Sequence, residues 1–188
     1  MRESKSPFSL FYWKEAAARL KSVRTLAVCA VLMALSIAIA SVFIPLPNNL
    51  RVYFTFMPKA ICAMICGPLA ALVFGCAEDL LGFLIHPTGA FFIGYTLSSM
   101  FGMFLYALGF YRQRITVVRA AITKLAVNLL CNVALGALWS SMLYGKAYLV
   151  YFWSSLTKNL LLWPVETALI LAVYRLLRDP IEKMRQMK

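Results

Sequence analysis

Two acids, Glu78 and Asp79, stand side by side in an otherwise apolar run, and the chain's only histidine, His86, follows seven residues after Asp79. A carboxylate near an imidazole is the pairing that general acid–base chemistry uses. Other polar groups interrupt apolar runs in the same way: Lys59, Lys124, Lys158, Glu166, Asn128 and Asn132. A serine after His86 could imitate a hydrolytic pair. However, no Gly-x-Ser-x-Gly occurs, and no third member is evident. No Gly-x-x-x-x-Gly-Lys-Ser/Thr occurs either, so the sequence carries no phosphate-binding loop of its own.

The runs that hold these groups decide the class. Of 188 residues, 62% are hydrophobic and 14% charged, against about 25% charged in soluble domains. This composition predicts an all-α integral membrane protein. The formal charge of +12 would suggest nucleic acid on a soluble protein, but its distribution argues for a membrane and no nucleic acid. Six Lys and Arg fall within the first 24 residues, three in a loop at Arg112, Arg114 and Arg119, and five from Arg175 onward.

Six spans are predicted: 26–44, 52–66, 69–85, 90–111, 120–143 and 148–177. Nineteen residues, as in the first, reach roughly 28 Å, near the hydrocarbon thickness. The second is short and holds Pro58. With six spans both termini share one side, which collects the basic residues just counted. Only Arg51 and Lys146 fall opposite, so the termini are expected to be cytoplasmic. Residues 1–24 form a cytoplasmic amphipathic segment with a short helix on the lipid surface, 25–178 the membrane domain, and 179–188 a basic tail. The first apolar run is too long for a signal peptide. Residues 45–51, with two prolines and two asparagines, read as an extracytoplasmic loop.

An intramembrane charge costs at least about 2.5 kcal/mol on insertion scales, so each needs a reason. Lys59 is expected to pair with Glu78 or Asp79. Lys124 lies near the cytoplasmic boundary and can snorkel, and Glu166 can pair with it or with Arg175. Lys158 lies too deep for that. It shares the outer half of the bundle with Asn128 and Asn132, and with Phe92, Tyr95, Thr96 and Ser98 on the fourth span. Trp139 and several tyrosines surround them. Together they describe an outward pocket for a flat, polar, anionic molecule: rings stack, amides read heterocycle edges, and Lys158 or Arg51 meets carboxylates. Ala30, Ala34 and Ala38 form a smooth stripe on the first span, suited to packing inside the protein or to a partner helix. The five cysteines lie in apolar segments. Cys62 and Cys66 share a helix face with no His or further Cys evident nearby, so packed thiols and no metal are expected.

The order of motifs is similar to a known family. Leu50-Arg51-Val52-Tyr53-Phe54-Thr55-Phe56-Met57-Pro58 is followed by Cys66-Gly67-Pro68-Leu69-Ala70-Ala71, then Asp79-Leu80-Leu81-Gly82, then Pro87-Thr88-Gly89-Ala90-Phe91-Phe92-Ile93-Gly94-Tyr95-Thr96-Leu97-Ser98. Over residues 24–178 this resembles the S components of energy-coupling factor (ECF) vitamin transporters, most closely the folate branch. The resemblance implies a six-helix subunit of the bacterial plasma membrane that captures folate from outside. It implies no cofactor and no enzyme activity: a coupling subunit and two ATPases are the partners that hydrolyse ATP. Ala30, Ala34 and Ala38 would then dock on the coupling subunit. The pterin would be read by Asn128, Asn132 and the hydroxyls of the fourth span, and stacked by Phe54, Phe92, Tyr95 or Trp139. Arg51 or Lys158 would face the glutamate tail. The alternatives are an S component for thiamine, riboflavin or pantothenate, a membrane enzyme using His86 with Glu78 or Asp79, and a structural membrane protein.

Overall fold

A computed structural model describes residues 13, 16–17, 22–41, 43–46, 50–87, 90–145 and 147–186, without side chains at 43–46, 50–52 and 185–186. The elements are α1 (Val23–Ala40), β1 (Phe43–Leu46), β2 (Leu50–Tyr53), α2 (Phe56–Cys66), α3 (Pro68–Ile85), α4 (Ile93–Phe110), α5 (Val117–Val127), a π-helical segment (Asn128–Leu135), α6 (Gly136–Tyr144), α7 (Tyr148–Leu176) and α8 (Arg178–Gln186). Among the described residues, five helical stretches are long and apolar enough to cross a membrane: α1, α3, α4, the continuous rod Val117–Tyr144, and α7.

The remaining apolar helix, α2, has 11 residues, about 16 Å at 1.5 Å each. Pro58 explains its start. It sits in the first turn, where its missing N–H breaks no helical bond. Gly67 ends α2 with a positive φ of 90°, and the Tyr111 ring lies 3.0 Å from where a Cβ would stand. Pro68 then opens α3 with its φ already set for a helix. Almost all of α2 is buried, and the core forms around it from Met64, Phe74, Met103, Phe110 and Ile170.

The outside of the bundle is apolar. Val23, Val31, Leu84, Leu161 and Leu176 are exposed, as are many other large aliphatic residues. In water this would be an aggregation hazard, whereas in a bilayer it is the lipid-facing surface.

Three features depart from the expectations. Residues 43–46 and 50–53 pair as two antiparallel strands, with Phe43 opposite Tyr53 and Leu46 opposite Leu50, where an irregular loop was expected over 45–51; residues 47–49 lie outside the described structure. Pro45 is tolerated because a two-stranded ribbon leaves one edge of each strand without ladder bonds. Residues 178–186 form α8, whose Ile181 is buried in the core beneath α2. Within the rod, residues 128–135 are π-helical rather than α-helical. Most of the N-terminal segment lies outside the described residues. Of it, Trp13 is helical and stacks on Phe104 of α4 at 6.1 Å.

The α3–α4 contact is the most extensive in the molecule. Gly75 permits it: a Cβ there would lie 2.9 Å from Met100 Cα and from the Ser99 carbonyl oxygen. Bare backbone against backbone sets the separation of these two helices.

Candidate binding site in the bundle

The N-terminal end of α4 faces α6 through aromatics and hydroxyls. Phe92, the extended residue before α4, lies 5.5 Å from Trp139 at 54° and 6.2 Å from Tyr95, edge-on. Trp139 Nε1 donates to Ser98 Oγ at 2.8 Å, and the Tyr95 and Ser140 hydroxyls lie 3.2 Å apart. Gly94 makes room for both rings, since a Cβ would stand 2.6 Å from Trp139 Cδ2 and collide with Phe92. Phe92, Tyr95, Ser98 and Trp139 therefore form one cluster.

Deeper in the rod, the π-helical turns bring Asn128 and Asn132 against α7. Asn132 Nδ2 donates to Asn128 Oδ1 at 3.1 Å and to Asn159 Oδ1 at 3.2 Å. Asn128 Nδ2 donates to Glu166 Oε2 at 2.8 Å and reaches the Asn159 carbonyl at 3.5 Å. Asn159 Nδ2 donates to the Ser155 carbonyl at 2.8 Å. Glu166 also meets Lys124 at 3.3 Å. Lys124 is fully enclosed, with Nζ 4.4 Å from the centre of the Phe56 ring. It does not snorkel, because Glu166 and the ring lie inside the bundle and satisfy the ammonium there. Asn128 is completely buried, whereas Asn132 is exposed.

The other sequence-selected residues are placed differently. Thr96 faces α3 and donates to Asp79 Oδ2 at 2.7 Å. Phe54 packs on the core beside Phe56, 6.4 Å between rings. Lys158 is half-buried on α7, next to Asn159. Arg51 lies on β2, and its side chain is outside the described structure. Ala30, Ala34 and Ala38 are all exposed on α1.

Asn159, Ser140, Ser155 and Ser36 are polar participants to which the sequence assigned no role. A signal existed for Asn159, an amide inside an apolar span beside Lys158. The serines gave none, since serine is common in membrane helices.

The opening acids are occupied. Lys59 pairs with Glu78 at 2.9 Å, as the sequence suggested, and Ser36 donates to the other Glu78 oxygen at 2.8 Å. His86 meets the Ser41 hydroxyl at 2.8 Å. The two carboxylates are thus engaged by Lys59, Ser36 and Thr96, and the imidazole by Ser41.

A helical bundle with an apolar, lipid-facing exterior, a network of amides inside and a cluster of tilted aromatic rings is a multi-pass membrane protein. Residues 24–174 match the family described as ECF transporter, substrate-specific component, and the chain belongs to that family. It is 33% identical over 137 residues to "Folate transporter FolT" of Clostridium novyi (strain NT), covering 73% of this chain and 79% of that one. A second folate transporter FolT, from Leuconostoc mesenteroides, is 27% identical over 152 residues, 78% and 82% of the two chains. Among solved structures, FolT bound with folic acid superposes with a TM-score of 0.73 at 26% identity, covering 79% of this chain and 91% of that one.

Proposed function

We propose that this protein is the folate-binding subunit of an ATP-driven ECF uptake transporter in a bacterial plasma membrane. The observation that carries the reading is the likeness to a folic-acid-bound structure, which spans 91% of that chain. Two folate transporter relatives support it. The chain captures folate from outside and passes it on through a coupling subunit, and two partner ATPases hydrolyse the ATP. It needs no cofactor and catalyses no reaction itself.

In this reading both termini are cytoplasmic, and α2 completes a sixth, short span. Residues 1–24 and 179–188 flank the membrane domain 25–178. The guest enters from the hairpin side. Phe92, Tyr95 and Trp139 offer ring faces for the pterin or the aminobenzoyl group. Ser98 and Asn132 offer donors and acceptors to heterocycle edges. Asn128 is enclosed and supports Asn132 from behind. Thr96 and Phe54 shape the wall by way of Asp79 and Phe56. Lys158 or Arg51 meets a carboxylate of the glutamate tail, as a charge-assisted hydrogen bond. The exposed stripe Ala30, Ala34 and Ala38 lets a helix of the coupling subunit approach closely.

Titration of the purified protein with folate, followed by tryptophan fluorescence, tests the proposal. Saturable quenching that Trp139→Phe reduces is expected. Silence toward folate with a response to thiamine, riboflavin or pantothenate would move the chain to another substrate.

A further inference from the structure

Cys62 and Cys66 stand one turn apart near the end of α2, and the fold adds a third thiol to them. Cys29 of α1 places its Sγ 3.7 Å from Cys62 Sγ and 3.1 Å from Cys66 Sγ. All three sulfurs lie within 4.8 Å of one another. Cys62 and Cys66 are fully enclosed and Cys29 is 9% exposed. No disulfide joins them. The sequence expectation of no further cysteine near Cys62 and Cys66 fails here, because Cys29 is 33 residues away along the chain and only helix packing delivers it.

We propose that Cys29, Cys62 and Cys66 form a three-coordinate site for a soft monovalent cation of the Cu(I) type. Metal–sulfur bonds of about 2.3 Å around a central ion set three sulfurs about 4 Å apart; the Cys29–Cys62 separation of 3.7 Å is near this, and the 3.1 Å between Cys29 and Cys66 would open by about 1 Å on binding. Soft thiolate ligands select Cu(I). Zinc wants four ligands in a closed site, and among the described residues no fourth Cys, His, Asp or Glu joins this group. Cys66 is the last residue of α2, so the partial negative charge of a helix C-terminus falls at the site and favours a cation.

The Gly67–Pro68 turn follows at once, and the start of α1 lies six residues before Cys29. In the proposed topology that end of the bundle is cytoplasmic, where thiols are kept reduced and clustered cysteines serve metals rather than disulfides. This sidedness rests on the function proposed above; the geometry of the site does not. Binding moves no electrons. Each thiol that ligates as thiolate releases one proton, and the bound ion would clip α1 to α2.

The test uses the full chain in detergent, anaerobic and reduced, titrated with Cu(I) held by a chromogenic Cu(I) chelator. One ion per chain is expected, with X-ray absorption showing three sulfurs at about 2.3 Å. Cys29→Ala, a small change at the rim of the cluster, should lower the sulfur count to two and weaken retention at least tenfold. Cys76→Ala and Cys131→Ala should change neither. No copper on the parent protein, equal retention by Cys29→Ala, or a Cys29–Cys66 disulfide in protein taken directly from cells would each overturn the site. Folate binding measured on the same preparation separates the two proposals. A parent that binds folate but no copper removes only the thiol site, and one that binds copper but no folate removes only the substrate assignment.

Discussion

The two sides of the bundle handle polar groups in opposite ways. Between α1, α2 and α3, the Lys59, Glu78 and Ser36 side chains close on one another, and Asp79 is capped by Thr96 from α4. Charges there are matched at short range. Between α4, the 117–144 rod and α7, polarity is carried mostly by amides and hydroxyls beside tilted aromatic rings, and Asn132 is exposed at the end of the network. Matched charges hold helices together. Neutral donors and acceptors with one open end can exchange a protein partner for a guest at little cost, because both states keep the hydrogen bonds made. Polarity in a membrane helix therefore has to be sorted by what is already satisfied before it is read as function.

This contrast can be broken most forcefully at the Lys124–Glu166 pair on the amide-rich side. Glu166→Ala leaves Lys124 enclosed without its carboxylate and removes the shorter of the two acceptors of Asn128 Nδ2. A loss of about 3–5 kcal/mol is expected, read as a fall in thermal unfolding temperature in detergent. Glu166→Gln, which keeps the acceptor for Asn128, should lose less. Next, Trp139→Ala removes a stacking face and the donor to Ser98. Folate affinity should fall about 10- to 100-fold, roughly 1.4–2.8 kcal/mol, by fluorescence or calorimetric titration. Trp139→Phe, keeping the ring, should lose about 1 kcal/mol.

Third, Lys158→Ala should weaken folate about tenfold while leaving binding of a pterin without its glutamate tail unchanged. An equal loss for both ligands would take Lys158 off the carboxylate. On the scaffold side, the double variant Lys59→Met with Glu78→Met replaces a matched pair by apolar volume. Folate affinity should stay within about twofold and stability should change little. A collapse of binding there would erase the division between the two regions. Smallest of all, Glu182→Ala breaks the exposed Arg178–Glu182 pair of α8 and should leave the unfolding temperature in the same melt almost unmoved.

Helix positions and the outer aromatics were readable in the chain, because long apolar runs, Pro and Gly punctuation and ring-rich span ends are local signals. The Lys59–Glu78 and Lys124–Glu166 pairs were readable only as options, Lys59 with Glu78 or Asp79 and Glu166 with Lys124 or Arg175, since a buried charge seeks an opposite charge but the sequence does not say which one. The Phe43–Tyr53 hairpin was not, because its prolines and asparagines carry the composition of a loop. Nor was the π-helical stretch 128–135: it depends on how Asn128 and Asn132 reach Asn159 and Glu166 on α7, not on local propensity. The separation of Thr96 from Ser98 was also hidden. Two residues apart on α4, they face different helices, one meeting Asp79 and the other Trp139.

By itself, then, the sequence determined a polytopic membrane protein, the clustering of its basic residues toward the chain ends and one loop, and the rings and amides that its apolar spans carry. All of these follow from transfer free energies that act residue by residue along the chain. Only the tertiary structure decided which polar groups spend themselves on one another, which stay open beside the rings, and that Cys29 meets Cys62 and Cys66. Those outcomes depend on the rotation and close approach of packed helices, set by contacts such as Gly75 on the α4 backbone that no local pattern encodes.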